Sequence, residues 1–467
     1  MADPTKTYCK YFFNHVALYN GRVANPCCRY GWGVKDASIN PLPKVKSYKE
    51  ILHSKEWQNL RDNSMAGIPE PGCYKCYEEE KNGIKSLRNI ANEMFREDKM
   101  DVRAGMDKTR DWTNVLGKLY ETKLTYIEMN LGNHCNLACN ICSSTLSTKW
   151  YQDDIELDKR GFRHQINGTP GYRRISKPPD TTLEVPFNAD DYVDVETIKF
   201  VGGEPMLHPK FIPTIEDIIS SGHADHITLQ IFTNASWVPK GKLIARLKQF
   251  KKVRISLSID GTEKVNNYSR HLSDWNIVNE TARKWLEIEK ESKTIQVKWE
   301  PTLSIYNANH VPEMFKWWFD LNRIVKEVGF YEAIWNEEQG DINYYLNNVH
   351  SPEYLRPGNY ADKTVSKDID KFLDEITIRF DESLLSPSRR KLGGKTHDAL
   401  EDDYRFRLNS IKDPIKKAKS LILEPVNNKE LTDFKKFTVL LDDIRKKDIK
   451  KDLPKLWEIS NKILDKS

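Results

Sequence analysis

The chain has 467 residues, 39% hydrophobic and 30% charged, with 22 glycines and 22 prolines, which excludes collagen-like, low-complexity and wholly disordered classes. At roughly 150 residues per domain there is space for two or three packed units. Its 73 Lys and Arg against 68 Asp and Glu leave a formal +5, too small an excess over this length to mark a nucleic-acid partner. No stretch approaches the ~20 uninterrupted apolar residues of a bilayer-spanning helix, and the first residues show no basic region followed by an apolar run. A cytoplasmic protein without a membrane partner is therefore expected. In a reducing compartment its 8 cysteines point to metal or redox work rather than disulfides.

The cysteines fall in two groups. Cys9, Cys27, Cys28, Cys73 and Cys76 precede residue 80, and Cys135, Cys139 and Cys142 lie close together further on. The first group opens with extended segments, Phe13 to Leu18 and Arg22 to Asn25, around Asn20-Gly21, a pair whose tolerance of positive φ predicts a hairpin returning Cys9 toward Cys27. Ser54 is placed to cap a short helix carrying Trp57 and Leu60, ended by Pro69 to Gly72 just before Cys73-Tyr-Lys-Cys76. All these thiols are expected on turns.

From Leu124 the pattern changes to extended apolar segments alternating with helical ones, which predicts βα units and a parallel sheet. The strands are expected at Leu124 to Leu131, Thr197 to Val201, Ile227 to Phe232, Val253 to Ile259, Ile295 to Ser304 and Tyr331 to Trp335. A helix is expected from Ser143 to Leu157, followed by an irregular insertion, Gly168 to Asp191, rich in Pro, Gly and Asp. After Asp362 the chain becomes charged and helical. Leu431, Phe434, Phe437, Leu441 and Ile444 recur on one face, with Lys435, Lys436, Lys446 and Lys447 mostly on a solvated opposite face.

Cys135-Asn-Leu-Ala-Cys139-Asn-Ile-Cys142 follows the first strand, so the thiolates would wrap a loop at a strand's carboxyl end, where barrel enzymes place their active sites. Three ligands leave one iron of a [4Fe-4S] cluster open to a small molecule, whereas structural zinc wants four protein ligands. A zinc site completed by His134, or three cysteines sharing one helix face, would have the same spacing. Cys-x3-Cys-x2-Cys in this position resembles the radical S-adenosylmethionine (SAM) superfamily. That resemblance implies an open iron chelated by SAM and reductive cleavage to a 5'-deoxyadenosyl radical. Ile141 stands where the superfamily usually has an aromatic residue.

Further motifs extend the resemblance. Gly202-Gly203-Glu204 resembles the motif whose backbone and carboxylate receive the SAM ammonium group. Thr233-Asn234 resembles the start of Thr-Asn-Gly, with Ala235 replacing the glycine, and Ser256-Leu-Ser258-Ile-Asp260-Gly261 with Arg270 resembles a segment of the peptide-modifying branch. These imply SAM contacts from Gly202, Gly203, Glu204, Asn234, Ser258 and Arg270.

The first cysteine group, with Lys55 to Arg61 and the Glu80, Gly83, Ser86, Arg88 run, resembles the auxiliary-cluster modules called SPASM and twitch domains. Those modules normally follow the barrel rather than precede it. The resemblance implies a second [4Fe-4S] cluster on Cys9, Cys27, Cys73 and Cys76, with Cys28 spare or substituting; a structural zinc would suit the same thiolates.

The resulting expectation is an α/β fold of three parts. Residues 1–110 form an auxiliary iron-sulfur module, 120–345 a partial (β/α)6 TIM-type radical SAM barrel, and 346–467 a helical carboxyl-terminal extension. The activity implied is hydrogen abstraction from a substrate, a peptide or protein, with an electron donor such as flavodoxin or ferredoxin. The insertion and the region Trp335 to Tyr360 are expected to meet the substrate. Two alternatives are a zinc-stabilised nucleic-acid or protein binding module and a degenerate barrel that binds SAM without cleaving it.

Overall fold

A computed structural model of the chain describes residues 6–19, 23–31, 47–81, 85–94, 121–162, 189–336, 340–384 and 397–464. The Asn20-Gly21 turn, Gly83 and all but the last residues of the Gly168 to Asp191 insertion lie outside them.

Alternation along the extended segments decides how the sheet is covered, because successive side chains of a strand point to opposite faces. Seven strands form one sheet: β1 (His15–Tyr19), β2 (Val23–Asn25), β3 (Tyr126–Asn130), β4 (Thr197–Val201), β5 (Thr228–Thr233), β6 (Lys252–Leu257) and β7 (Ile295–Trp299), in the order β2-β1-β3-β4-β5-β6-β7. Only the β1–β2 pair is antiparallel. On one face Ile127, Ile198, Leu229, Val253 and Ile295 oppose one another in register, and so do Met129, Phe200, Ile231, Ile255 and Val297. All ten are buried in the main core. The helices that connect the parallel strands cover this face: Phe211, Ile215 and Ile218 come from Phe211–Ser220, Leu243 and Leu247 from Gly241–Leu247, and Trp285 and Leu286 from Trp275–Glu291.

The other face is polar. Glu128, Lys199, Gln230, Arg254 and Gln296 stand opposite one another on five adjacent strands. Glu128 and Lys199 form an ion pair of 3.0 Å, and Ser256 donates to Glu300 at 2.6 Å.

Several expectations are corrected. Tyr331 to Trp335 is not a strand of this sheet: Phe330–Ile334 is helical, and Trp335–Asn336 pairs with Asp341–Ile342 in a small separate hairpin. Phe330 packs on Phe319 and Tyr331 on Phe380, so the segment wedges between two longer helices and burial overrides its strand-like composition. The remaining parallel strand is β1, from the amino-terminal cysteine segment, on the other side of the sheet between β2 and β3. Ile295 to Ser304 breaks at Pro301, which has no N–H to donate to a ladder; beyond it Thr302–Leu303 pairs with Asn347–Asn348. Phe13 and Asn14 belong to a helical turn, Tyr11–Asn14, rather than to the strand. Ser143 to Ser147 is a turn in which Leu146 N–H and Ser147 N–H both donate to Ser143 O at 2.9 Å and Ser143 Oγ meets Thr145 Oγ1 at 2.7 Å, while Ser147 Oγ reaches back to Leu137 O at 2.5 Å. The helix begins only at Tyr151–Lys159.

Other local readings hold. Ser54 caps Lys55–Met65 by accepting from Trp57 N–H, and Trp57 and Leu60 are buried. In Asn428–Arg445, Leu431, Phe434, Phe437 and Leu441 are buried on one face. Lys447 departs from the solvated pattern, donating to Asn267 O at 2.8 Å over the Tyr268 ring. No helix among the described residues is long and apolar enough to cross a membrane.

Candidate active site

β3, β4, β5 and β6 all run the same way, so the segments after Asn130, Val201, Thr233 and Leu257 gather at one edge of the sheet. Those segments carry the cysteine loop, Gly202 to Glu204, Asn234 and Ser258. The cysteine loop is not helical, which removes the shared helix face as an account of its spacing. Neighbouring backbone holds it, with Ala138 N–H donating to His271 O (3.0 Å) and Asn140 N–H to Ser269 O (2.7 Å). Trp150, fully buried, donates its indole N–H to Cys139 O at 2.8 Å and stacks on Phe437. An aromatic support for this loop is thus present, although Ile141 does not supply it.

Gly202 and Gly203 have φ of +85° and +46°. A Cβ on Gly202 would fall 2.0 Å from Asn130 Oδ1, and one on Gly203 2.2 Å from His134 O. What stands over these glycines is the chain leading into Cys135, so they let two strand ends meet as closely as backbone allows. Glu204 N–H donates to the same His134 O at 2.8 Å.

The Glu204 side chain is 1% exposed. Its Oε2 accepts from Asn234 N–H at 2.6 Å, while Oε1 is buried with no hydrogen-bond partner. Burial pushes this carboxyl up to about 7, against the opposing pull of Asn234 N–H, the Thr233 hydroxyl and Arg270. A cationic group beside Oε1 would relieve both the missing bond and the burial, which is the donor a SAM ammonium offers.

Asn234 joins two of the motifs, its Nδ2 donating to Asn136 Oδ1 at 2.9 Å and lying 3.7 Å from Cys135 Sγ. Ser258 N–H donates to Thr233 O at 2.8 Å, and its side chain is half-buried. Arg270 Nε pairs with Asp260 Oδ2 at 2.8 Å, and Nη1 lies 3.9 Å from Cys139 Sγ. Asp260 in turn accepts from Thr302 N–H at 2.8 Å. The expected site residues are therefore brought together at one edge.

Cys135 and Cys139 share a small apolar cluster with Leu137, and Ile141 and Cys142 pack against it. A hydrogen bond from Cys142, with burial opposing and Arg270 assisting, holds Cys139 below the ordinary thiol range; the same contact and burial push Cys142 well above it. Burial, then the neighbouring Cys139, raises Cys135 to about 11.

The amino-terminal thiols form a second group. Cys9, Cys27 and Cys73 belong to one buried cluster, and Cys76 is also buried. They do not all lie on turns: Cys76 is in the helix Tyr74–Lys81, directly after the 3₁₀ turn Pro71–Cys73. Burial lifts Cys9 to about 12 and raises Cys27, whose electrostatic neighbours include Cys28, Cys9, Cys73 and Cys76. After burial, Cys28 responds instead to Glu128 and Lys199 on the polar face of the sheet, and then to Arg29. Arg88 braces this unit, donating to Tyr8 O (2.8 Å) and pairing with Glu80. Among the described residues no three or more His, Cys, Asp or Glu side chains are closed into a metal-holding array. The fit of each cysteine group to an iron-sulfur cluster rests on its soft donors and shared burial.

Residues 129–297 match the family model described as the Radical SAM superfamily. That stretch is similar to a radical SAM domain. This match, from within β3 to within β7, supports an enzyme whose reaction is unassigned. A comparison with curated proteins finds no match. Among solved structures, Streptococcus suis SuiB bound to S-adenosylmethionine is similar with 12% sequence identity and a TM-score of 0.31, over 55% of this chain and 48% of that chain. Native anSMEcpe with bound AdoMet is similar with 14% identity and a TM-score of 0.33, over 72% of this chain and 99% of that one. The chain thus spans about half the length of SuiB.

Several residues of this candidate site escape sequence reading. Asn136 and Ser236 join the Asn234 network, with Asn136 Nδ2 donating to Ser236 Oγ at 2.7 Å. Asp260 was legible as part of a motif, yet its pairing with Arg270 needs the fold. Nothing in the local pattern marks Trp150, or Arg445 from the far end of the chain, as neighbours of the cysteine loop.

Proposed function

We propose that this chain is a radical SAM enzyme in which Cys135, Cys139 and Cys142 hold a [4Fe-4S] cluster. Gly202, Gly203, Glu204, Asn234, Ser258 and Arg270 would bind SAM across the strand ends of a partial (β/α)6 barrel. The observation that carries this reading is the meeting of separate motifs around the thiols: Glu204 on Asn234, Asn234 on Cys135, and Arg270 on Cys139. With cluster and SAM bound, an electron delivered to SAM would give the 5'-deoxyadenosyl radical that abstracts hydrogen from substrate. Glu204 Oε1 would accept from the SAM ammonium, the paired glycines keep the cysteine loop against it, and the Arg270–Asp260 pair fixes a cation beside Cys139. The buried strand ends would keep water from the reactive species.

The substrate would lie over the polar face lined by Glu128, Lys199, Gln230, Arg254 and Gln296. A peptide or protein suits the resemblance of the amino-terminal segment to SPASM and twitch modules. In this reading residues 1–110 are the auxiliary module, 120–345 the radical SAM core and 346–467 the extension. Cys9, Cys27, Cys73 and Cys76 would hold a second [4Fe-4S] cluster. Cys27 rather than Cys28 is the ligand, because its electrostatic neighbours include the other three thiols. An electron donor of the flavodoxin or ferredoxin kind would serve the reaction, in the cytoplasm.

The test is anaerobic purification, assay of iron, zinc and acid-labile sulfide, then addition of dithionite and SAM and measurement of 5'-deoxyadenosine. The wild-type chain should make it, the Cys135, Cys139 and Cys142 triple alanine variant should not, and the Cys73 and Cys76 double alanine variant should retain uncoupled cleavage. Zinc without iron, or product from the triple variant, would overturn the reading.

A further inference from the structure

Helix Asn428–Arg445 comes from the far end of the chain and ends against the cysteine loop. Arg445, its last residue, has a side chain only 2% exposed. Nη1 donates to Asn140 Oδ1 at 2.6 Å, within the loop between Cys139 and Cys142. Nε donates to Asp153 Oδ2 at 2.9 Å, and the guanidinium lies 4.3 Å from the centre of the Trp150 ring. Trp150 is the residue whose indole N–H holds Cys139 O. One planar group thus touches the side chain of Asn140, next to Cys139, and the ring of Trp150, which holds the Cys139 carbonyl.

The helix end is secured independently. Asp442 accepts from the Tyr268 hydroxyl at 2.9 Å and from Ile449 N–H at 2.6 Å. Lys447 donates to Asn267 O at 2.8 Å. Tyr268 and Asn267 lie in Glu263–Ser269, the helix that leads into Arg270 and supplies the Ser269 carbonyl that receives Asn140 N–H. The last turn of Asn428–Arg445 is therefore latched to the loop carrying the thiols and to the segment carrying their arginine.

We infer that Arg445 is a positioning residue for the radical SAM site: its guanidinium fork and stack fix the Cys139 to Cys142 loop, making the carboxyl-terminal helical extension part of the active-site support. This inference rests on the reading of Cys135, Cys139 and Cys142 as cluster ligands, and goes beyond it by assigning a role to a residue outside the family match. A guanidinium suits the task because it donates in two directions in one plane and stacks by that plane, which a lysine ammonium does not.

The full chain is tested as wild type, Arg445→Ala, Arg445→Lys and Asn140→Ala. The first measurement is amide hydrogen exchange on cluster-free protein, read at Ala138 and Cys142. Arg445→Ala should speed exchange there about tenfold or more, since a buried charge-assisted bond and a stacked contact are lost, while exchange in β5 and β6 stays unchanged. Arg445→Lys should resemble Arg445→Ala in this measurement. If Arg445→Ala does not fold, Asn140→Ala removes the same bond from the loop side and should speed exchange at Ala138 and Cys142 likewise. The second measurement is the SAM-induced change in the paramagnetic resonance signal of the reduced, reconstituted chain, which Arg445→Ala should weaken. Exchange at Ala138 and Cys142 within about twofold of wild type in both Arg445→Ala and Asn140→Ala, or full restoration by Arg445→Lys, would overturn the inference. A wild-type chain whose signal does not respond to SAM would instead overturn the radical SAM reading, and the exchange arm would still decide whether Arg445 holds the loop.

Discussion

Replacing Gly203 by alanine tests how tightly the Gly202–Glu204 turn must meet the cysteine loop. An alanine at φ of +46° adopts the left-handed region at a cost of about 1 kcal/mol. Its Cβ would stand 2.2 Å from His134 O and 2.8 Å from the carbonyl carbon, and since both are backbone the loop itself must retreat. That retreat strains the Glu204 N–H to His134 O bond, now 2.8 Å, worth about 1 kcal/mol, and adds overpacking of at least about 1 kcal/mol. The total expected is about 3 kcal/mol. Gly222→Ala is the matched control: its φ is +79°, yet no atom lies within 4 Å of its would-be Cβ, so only the backbone cost of about 1 kcal/mol applies. Urea unfolding followed by the fluorescence of the buried Trp285 and Trp299 should place Gly203→Ala about 2 kcal/mol below Gly222→Ala. Equal destabilisation of the two variants within about 0.5 kcal/mol would refute the close-approach argument. Because His134 precedes Cys135, Gly203→Ala should also bind less iron on reconstitution, whereas Gly222→Ala should match wild type.

Acid stability depends on His15, which is buried, bonds Pro26 O through Nδ1 at 2.7 Å and is pushed down to about 4 by burial. A folded pKa below the unfolded value near 6.5 means its full contribution is present above about pH 6.5 and is lost as pH falls through 4. Unfolding free energy should drop by about 3 kcal/mol over that window relative to His15→Gln, and parallel pH profiles for the two proteins would contradict this. Glu128→Ala should destabilise by about 3 kcal/mol by leaving Lys199 without its partner in the sheet, and Glu128→Ala with Lys199→Met should recover most of it. Thermal melting of these two variants beside wild type checks both statements; a double variant no better than the single one would reject the ion-pair account.

Where the physics is local, the sequence was legible. Extended apolar segments placed the five central strands within a residue or two, apart from the end of Ile295 to Ser304. Ser54 marked the start of its helix, and Leu431, Phe434, Phe437 and Leu441 the buried face of theirs. The motifs after each strand were legible too, because a parallel βα pattern by itself brings successive carboxyl ends to one edge. Tyr331 to Trp335 misled because its aromatic and branched residues suit a strand and a buried helix equally well, and only the neighbours at Phe319 and Phe380 decide between them.

The sequence by itself determined which thiols, carboxylate and arginine this chain brings to its strand ends, since those follow from residue type and from their order after strands. The tertiary structure alone decided what holds them. β1 joins β3 from more than a hundred residues away, and Cys27 is buried in one cluster with Cys9 and Cys73. Arg445 closes on Asn140 across 305 positions of chain. Contacts of that kind depend on how packed faces meet after the backbone has folded, and no periodicity or spacing along the chain encodes the distance between residues so far apart.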